Sequence, residues 1–300
     1  MLSCGWRRPA QMPPELRTRA AAKLNLGLRV ASPGGDGFHP IRSLCQTVSW
    51  YDQVWLWEAE EDSFVVEGPI TGLPAQDDNL AWRAREMLRG SNRGGRQLGL
   101  RLEKHIPLAA GLGGGSADAA AVLRLGAELL GGGDWGRSAR ELGSDVPFAL
   151  IGGCAVVEGS GEQVSTVAPM PSGYAVGIVV PSPWLSAGAV YQAWDRLGEP
   201  SGRDFPTQAL PPTLRHFAPL GNDLESAAAF LSPELAEWSQ ELAGRWGRPV
   251  ALSGSGPALF GFFVDLDEAE AALTSVPRGT RGSYAAVPVG LPPLVLADTL

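Results

Sequence analysis

"PLAAGLGGGSADAAAVLRLGAELL", from Pro107 to Leu130, sets three adjacent glycines directly before a helical pattern. Glycine loses more backbone freedom on folding than any other residue, so it is unfavourable near a helix. After Ser116, apolar residues recur at three- and four-residue spacing, which predicts a helix that ends at the glycines of 131–133. These apolar residues are Ala119, Val122, Leu125 and Leu129. We infer that something requires a bare backbone where this helix begins.

The composition is that of a globular chain with an acidic balance. Of its 300 residues, 44% are hydrophobic and 19% are charged, which is typical of a folded protein and unlike a disordered one. The formal net charge of −8 argues against nucleic acid as a partner, because nucleic-acid binding needs a basic surface. No apolar run is long enough to span a bilayer, so we predict no membrane partner.

The N-terminal residues and the cysteines indicate where the protein is located. Residues 1–20 carry positive charge but lack the apolar core of a secretory signal, so we predict a loose leader, with Met12 as an alternative start to Met1. The cysteines are odd in number and widely spaced, which favours free thiols in a reducing cytoplasm over a disulfide framework. They are Cys4, Cys45 and Cys154.

Hydrophobic periodicity predicts an α+β protein of two lobes. "AKLNLGLRV" and "QLGLRLEKHI" alternate as strands do, and "DDNLAWRAREMLRG" has the spacing of a helix. After Met170 the chain forms a second unit, which starts with the buried strand "PMPSGYAVGIVVPSP" and the helix "SAGAVYQAWDRL". We therefore predict an N-terminal domain over 21–168 and a C-terminal domain over 169–300.

The glycine loop has a functional and a structural interpretation. A helix N-terminus offers unpaired N–H groups and the positive end of the helix dipole, and glycines before it let the backbone wrap around a phosphate. The alternative is a flexible surface turn. Its place between an alternating strand and an alanine-rich helix favours the phosphate cradle. The segment has neither the Gly-Lys-Ser/Thr end of a P-loop nor the spacing of a dinucleotide fingerprint.

The same segment resembles the Pro-x-x-x-Gly-Leu-Gly signature of the galactokinase, homoserine, mevalonate and phosphomevalonate (GHMP) kinases. The signature fixes Pro107, Gly111, Leu112 and Gly113 together. The resemblance implies a two-lobed GHMP kinase fold, with an N-terminal nucleotide-binding α/β lobe and a C-terminal ferredoxin-like α/β lobe. It also implies ATP and Mg²⁺ as cofactors.

Further blocks resemble one family of these kinases, the 4-diphosphocytidyl-2-C-methyl-D-erythritol kinases. "AAKLNLGLRV", "GGDGFHPIRSLCQTV", "DDNLAWRAREML", "LGSDVPFALIGGCAVVEGSGE", "GNDLE" and "LSGSGPALF" match in order, from Ala21 to Phe263. The resemblance implies transfer of phosphate from ATP to the 2-hydroxyl of a cytidine diphosphate-linked methylerythritol, in the non-mevalonate isoprenoid pathway. The chain departs from the family at Phe38, usually Tyr, and at Ala117, commonly Ser.

Two residues are candidates for catalysis, and each has a structural alternative. Asp145, before Val-Pro, is a plausible helix cap, but the resemblance makes it the base that accepts the hydroxyl proton. Lys23 alternates with the leucines of its strand, a position that is usually solvated. The resemblance pairs it with Asp145 and the reacting hydroxyl. Asn25 shares the face of Lys23 and is predicted to bind substrate.

The remaining candidates divide between the two ligands. For ATP, the resemblance implies the loop and Asn79, which is otherwise a helix cap. The loop residues are Pro107, Leu108, Ala109, Ala110, Gly111, Leu112, Gly113, Gly114, Gly115, Ser116 and Ala117. For the cytidylated substrate it implies Phe38, His39, Tyr191, Gly254 and Gly256. Each of these also has a plain structural role, and the metal ligands stay open.

Two rival functions remain at this point. Another GHMP kinase, of the homoserine or mevalonate type, would explain the glycine loop but not "DGFH". A non-catalytic nucleotide-binding regulator on the same fold would not need both Lys23 and Asp145. The sequence does not indicate the oligomeric state.

Overall fold

The computed structural model describes residues 15–35, 37–70, 72–91, 97–132 and 135–296. The N-terminal half supplies most of a first sheet and the helices that cover it. Its strands are β1 (Leu16–Val30), β2 (Ile41–Ala59), β3 (Ser63–Glu67), β4 (Gln97–Glu103), β5 (Cys154–Gly159) and β6 (Gln163–Thr166). Its helices are α1 (Leu80–Ser91), α2 (Gly114–Leu130), α3 (Trp135–Leu142) and α4 (Val146–Ile151), with a 3-10 turn at Gln76–Asp78.

The long strand β2 organises the first sheet. Its C-terminal part pairs with β4, its N-terminal part pairs with β5, and β1 pairs along most of its length. β3 lies parallel to β4, whereas β6 continues from β5 as an antiparallel hairpin. The segment "CAVVEGSGEQV" therefore forms a hairpin.

The C-terminal half builds a second, four-stranded antiparallel sheet in the order β10-β7-β9-β8. Its strands are β7 (Ala175–Pro181), β8 (Ala251–Leu252), β9 (Leu259–Phe263) and β10 (Thr280–Ala286). Its helices are α5 (Ala187–Arg196), α6 (Glu225–Leu231), α7 (Glu234–Trp246) and α8 (Leu266–Leu273), with 3-10 turns at Thr207–Ala209 and Pro212–Phe217. Helices follow the first and third strands of this unit, which gives the βαββαβ arrangement of a ferredoxin-like lobe.

Buried apolar clusters hold these layers together. In one, α1 and α2 pack on a face of the first sheet. In another, Leu24 and Val48 of the first sheet meet Ile178 and Phe260 of the second. A third lies under the helices of the second sheet. The two lobes are therefore held together by a shared apolar core and not only by the chain segment that links them.

The two-lobed α+β fold is confirmed, but the predicted leader needs correction. β1 begins at Leu16, and Leu16 and Ala20 are buried. Residues 16–20 thus belong to the first sheet rather than to a loose segment. The rest of that prediction, Met1 and Met12 included, lies outside the described residues, as does Cys4.

The chain also returns to the first sheet at its end. β11 (Leu294–Leu296) pairs with the start of β1, so the tail is not confined to the second lobe. We propose the domain boundary between residues 168 and 169, in the segment that joins β6 to β7. No helix among the described residues is both long and apolar enough to cross a bilayer.

Candidate active site

A cleft of about 650 Å³ lies between the lobes and brings together many of the predicted site residues. The predicted residues that line it are Lys23, Asn25, Phe38, His39, Gly111, Ser116, Asp145, Tyr191 and Gly254. The others lie outside its lining, namely Asn79, Pro107, Leu108, Ala109, Ala110, Leu112, Gly113, Gly114, Gly115, Ala117 and Gly256. Most of this second group belongs to the 107–117 segment, which supplies Gly111 and Ser116 to the lining.

Lys23 and Asn25 point into the cleft because β1 is irregular around them. The pairing of β1 with β2 shifts register between Ala21 and Lys23 and again between Asn25 and Gly27. Such bulges re-aim side chains, often beside active sites. The Lys23 ammonium donates a hydrogen bond to Asn25 Oδ1 and its Nζ lies 3.4 Å from Asp145 Oδ2. Lys23 is buried, so the solvated-face alternative does not hold.

Asp145 precedes α4 but does not cap it. Its side chain makes no cap hydrogen bond, and its backbone is in the right-handed helical region. The carboxylate is 40% exposed, lines the cleft and faces Lys23. The geometry therefore leaves this carboxylate accessible to a ligand, beside a buried cation.

The glycine loop leads into α2 as a phosphate cradle requires. Gly113 precedes the helix with a φ of 67°, and the first intrahelical bond runs from Ala117 N to Gly113 O, at 2.9 Å. The amides of Gly114, Gly115 and Ser116 come before that bond and are the ones a helix leaves without an intrahelical acceptor. They form the positive end of α2.

Close packing explains two of these glycines without any phosphate. A Cβ on Gly111, whose φ is 77°, would lie 2.2 Å from Ser253 O. A Cβ on Gly114 would lie 2.9 Å from Ile106 Cγ2. At Gly115 the nearest atom would be Leu80 Cδ1, at 3.9 Å, so there the protein itself leaves room.

The far end of the cleft is aromatic. Phe38 is 63% exposed, and the Tyr191 ring lies 5.1 Å from the imidazole of His39. Burial, together with the nearby Asp145 carboxylate, raises the pKa of Tyr191 to about 12, so its hydroxyl stays protonated. Gly254, with a φ of 58°, lies instead beside Asn25 and Lys23, because a Cβ on it would lie 2.9 Å from Asn25 Oδ1 and 3.6 Å from Lys23 Nζ.

Asn79 and Gly256 have clear structural roles in this structure. Asn79 Oδ1 accepts hydrogen bonds from the amides of Ala81 (2.9 Å) and Trp82 (3.4 Å), so it caps α1. The φ of Gly256 is 79° and a Cβ there would meet Leu252 Cδ1 at 2.6 Å. Their assignments to adenine and substrate remain predictions.

Sequence reasoning missed a buried charged cluster directly beneath the start of α2. Lys104 Nζ lies 2.5 Å from Asp118 Oδ2 and also donates to Asp52, and all three residues are buried. Asp52 Oδ1 accepts from the amides of His105 (2.5 Å) and Ile106 (2.8 Å). The signal in the sequence is Asp118, a charged residue within the alanine-rich and otherwise apolar stretch "ADAAAVL". A charged side chain at such a position is buried only when it is paired, so Asp118 indicates a buried partner of opposite charge.

Asn222 was also missed, although it lies in the quoted block "GNDLE". Its Nδ2 donates to the carbonyls of Leu252 (2.8 Å) and Gly254 (2.7 Å). Its Oδ1 accepts from Leu224 N, at 3.0 Å. It therefore fixes the second glycine turn against the cleft.

Comparison with known proteins defines the class to which this fold and cleft belong. The GHMP kinases N terminal domain matches residues 79–153, and the GHMP kinases C terminal domain matches residues 210–280. The homoserine kinase from Cytophaga hutchinsonii ATCC 33406 shares the fold, with a TM-score of 0.64 at 16% identity over 97% of this chain and 99% of that one. The protein is a GHMP kinase by fold.

More similar proteins define the family. The chain is 40% identical over 274 residues to the 4-diphosphocytidyl-2-C-methyl-D-erythritol kinase of Anaeromyxobacter sp. (strain Fw109-5), which covers 87% of this chain and 86% of that protein. A crystal structure of 4-(cytidine 5'-diphospho)-2C-methyl-D-erythritol kinase matches with a TM-score of 0.77 at 33% identity, over 91% of this chain and all 100% of that one. The chain belongs to the 4-diphosphocytidyl-2-C-methyl-D-erythritol kinase family.

Proposed function

We propose that this protein transfers the γ-phosphate of ATP to the 2-hydroxyl of 4-diphosphocytidyl-2-C-methyl-D-erythritol, in the non-mevalonate isoprenoid pathway. One observation carries the proposal beyond family membership. The Asp145 carboxylate, released from helix capping, faces Lys23 at 3.4 Å in the cleft that the start of α2 enters. Two buried free thiols, Cys45 and Cys154, support a cytoplasmic location.

The chemistry assigned to the pair is proton transfer and charge stabilisation. Asp145 accepts the proton of the substrate hydroxyl while the hydroxyl oxygen forms a bond to the γ-phosphorus of ATP. The bond from that phosphorus to the bridging oxygen breaks, and ADP leaves. The Lys23 ammonium favours the ionised carboxylate and stabilises negative charge at the reacting oxygen. The amides at the start of α2 stabilise charge on the transferred phosphoryl group.

The ligands occupy different parts of the cleft in this proposal. ATP lies along the 107–117 loop, with its adenine towards Asn79. The cytosine stacks between Phe38 and Tyr191, with His39 at its edge, and Asn25 holds the reacting end. Gly254 and Gly256 close the cleft over the substrate. Exposed Phe38 and half-buried Tyr191, on opposite lobes, support this placement.

Magnesium fits the described residues as an ion carried mainly by the nucleotide. Among those residues, no three His, Cys, Asp or Glu side chains gather into a metal cluster, but Mg²⁺ is usually held by one or two carboxylates with substrate phosphates and water. The Asp145 carboxylate and the Ser116 hydroxyl line the same cleft and could supply protein oxygens. When bound, the ion would neutralise charge on the phosphates.

A substrate comparison tests the proposal directly. We expect ADP release with ATP, Mg²⁺ and the cytidylated methylerythritol, and a kcat/KM for mevalonate and homoserine at least about 10³-fold lower, because a polar recognition site rejects a ligand that leaves its groups unpaired. Comparable rates with mevalonate or homoserine would assign the protein to another GHMP activity. The absence of ADP release with all three would overturn the proposal.

A further inference from the structure

One face of α5 holds the imidazole of His39 in a fixed position. His39 Nε2 lies 2.7 Å from Asp195 Oδ1. The ring centroids of Tyr191 and Trp194 lie 5.1 Å and 5.7 Å from that of His39, and the Trp194 plane is at 79° to it. The three α5 residues are spaced three and four apart, so they form one stripe of the helix. The His39 side chain is 11% exposed.

The pair joins the two lobes at the aromatic end of the cleft. His39 belongs to the segment between β1 and β2, whereas Asp195 belongs to the second lobe, and both line the cleft. A second contact joins the same segments outside the lining, where Ser32 Oγ donates to Glu199 Oε2 at 2.5 Å. The first contact thus lies in the lining of the cleft, and the second is a matched exposed contact outside it.

The contact with Asp195 also constrains which imidazole nitrogen can carry the proton. An ionised carboxylate only accepts, so the nitrogen that faces Asp195 must donate. In the neutral ring, Nδ1 is then an acceptor. An acceptor matches the amino group that distinguishes cytosine from uracil, and it opposes the carbonyl that uracil carries at the same position.

We propose that Asp195 is a positioning residue that fixes the orientation and tautomer of His39 and thereby makes the cleft select cytosine over uracil. This rests on the proposed function for the presence of a cytidine diphosphate group in the cleft. Asp195 itself need not touch the ligand. Its effect passes through His39. In metal sites, a carboxylate that accepts a hydrogen bond from a histidine fixes the tautomer and orientation of that ring in the same way.

Binding of free nucleotides tests the selection without any requirement for turnover. Calorimetry would compare CDP with UDP on the wild type, Asp195→Leu, Asp195→Asn and Ser32→Ala. We expect the wild type to prefer CDP, and Asp195→Leu to reduce the CDP-to-UDP preference roughly 10-fold, the size of a lost hydrogen bond to a charged group. Asp195→Asn keeps an acceptor and should restore most of the preference, and Ser32→Ala should leave it unchanged.

Several outcomes would overturn the proposal. It fails if the wild type shows no preference for CDP, if Asp195→Leu weakens both nucleotides equally, or if Ser32→Ala has the same effect. A preference for CDP without phosphorylation of the cytidylated substrate would reject the proposed function and leave this inference standing.

A measurement on the unaltered protein covers the case in which Asp195→Leu does not fold. Nitrogen-15 NMR of the imidazoles distinguishes a protonated Nε2 from a protonated Nδ1, and the three histidines can be assigned with His105→Gln and His216→Gln. We expect the proton of His39 on Nε2, with Nδ1 free to accept. Protonation at Nδ1, or at both nitrogens, would contradict the proposed acceptor.

Discussion

Lys23 and Asp145 approach each other from separate elements, one on a bulged strand and one in the turn before α4. Each has a structural alternative in the sequence, and the geometry removes both alternatives. Lys23 is buried, and the Asp145 side chain makes no cap hydrogen bond. A buried ammonium beside a partly exposed carboxylate is the arrangement that the proposed proton transfer from a bound hydroxyl requires.

Asp145→Asn should lower kcat roughly 10²-fold or more, because the amide cannot accept the hydroxyl proton. The thermal unfolding midpoint should stay close to that of the wild type, since no cap bond is lost. Steady-state kinetics and a melting curve measure both effects, with Glu141→Gln as an exposed acidic control on α3. Near wild-type turnover in the folded Asn variant would remove Asp145 from the chemistry.

Phe38→Ala should raise KM for the cytidylated substrate roughly 5- to 150-fold, because stacking on one aromatic ring stabilises a base by about 1–3 kcal/mol. KM for ATP should barely change, and Phe38→Tyr should be nearly silent. Phe230→Ala is a matched control, since Phe230 is 59% exposed on α6. A weaker affinity for ATP instead would place the cytosine in a different part of the cleft.

At the scale of elements, α2, whose N-terminus we propose as the phosphate cradle, packs over the buried charges of Asp52, Lys104 and Asp118. Burial disfavours the charge on Lys104, but the two carboxylates outweigh it and raise the pKa of the ammonium. Burial raises the pKa of Asp118 to about 8, because one ammonium cannot neutralise two carboxylates out of water. Asp118 Oδ1 has no hydrogen-bond partner among the described residues.

The raised pKa of Asp118 predicts a loss of stability with rising pH. An unfolded Asp titrates near 4, whereas Asp118 in the folded protein titrates near 8. Between those values the folded state binds a proton that the unfolded state has released. The free energy of unfolding should therefore fall as pH rises from 4 to 8, by at most about 1.4 kcal/mol per pH unit for this group.

The matched variant for this effect is Asp118→Asn, which imitates the protonated carboxyl. Urea unfolding from pH 5 to pH 9 should show that the difference in unfolding free energy, wild type minus variant, declines across that range and levels off above about pH 8. A difference that stays constant from pH 5 to pH 9 would show that Asp118 is ionised throughout that range and that its pKa is not raised.

At the scale of the molecule, the glycine loop is held by both lobes at once. Lys23 N, on β1 of the first lobe, donates to Leu112 O at 2.9 Å. Ala258 N, directly before β9 of the second lobe, donates to Ala110 O at 2.9 Å. Arg281 on β10 donates to Leu108 O at 2.7 Å and packs against Trp184, 4.2 Å from its ring centroid. The shape of the proposed ATP site thus depends on how the two lobes are packed together.

Arg281→Lys should raise KM for ATP about 3- to 30-fold, because a lysine cannot reproduce the fork that also reaches the carbonyls of Pro181 and Pro183. KM for the cytidylated substrate should change little, since Arg281 is not among the residues that line the cleft. Arg278→Lys, on the exposed approach to β10, is the control. Equal changes in both KM values would indicate a general loosening of the lobes.

Local chemistry determined much of the fold in advance. The alternating leucines of β1 and β4, the helix after the glycine loop and the hairpin of β5 and β6 follow from side-chain period and turn residues. Elements without a clear period, such as α6, β10 and β11, were not predicted. Their positions depend on the partner strands and helices that bury them, and pairing partners are not encoded in a short window.

The sequence by itself determined the class of the protein, because the glycine loop, the Lys-x-Asn strand and "DGFH" resemble motifs of one family and follow one another in the same order as in that family. Only the tertiary structure decided what individual side chains do. It separated Asp145 from a capping role, assigned Asn79 to a cap, and placed His39 against Asp195, 156 residues away. The physical reason is that hydrogen bonds, burial and charge pairing depend on distance in space, and the two bulges in β1 and the packing of the lobes set those distances.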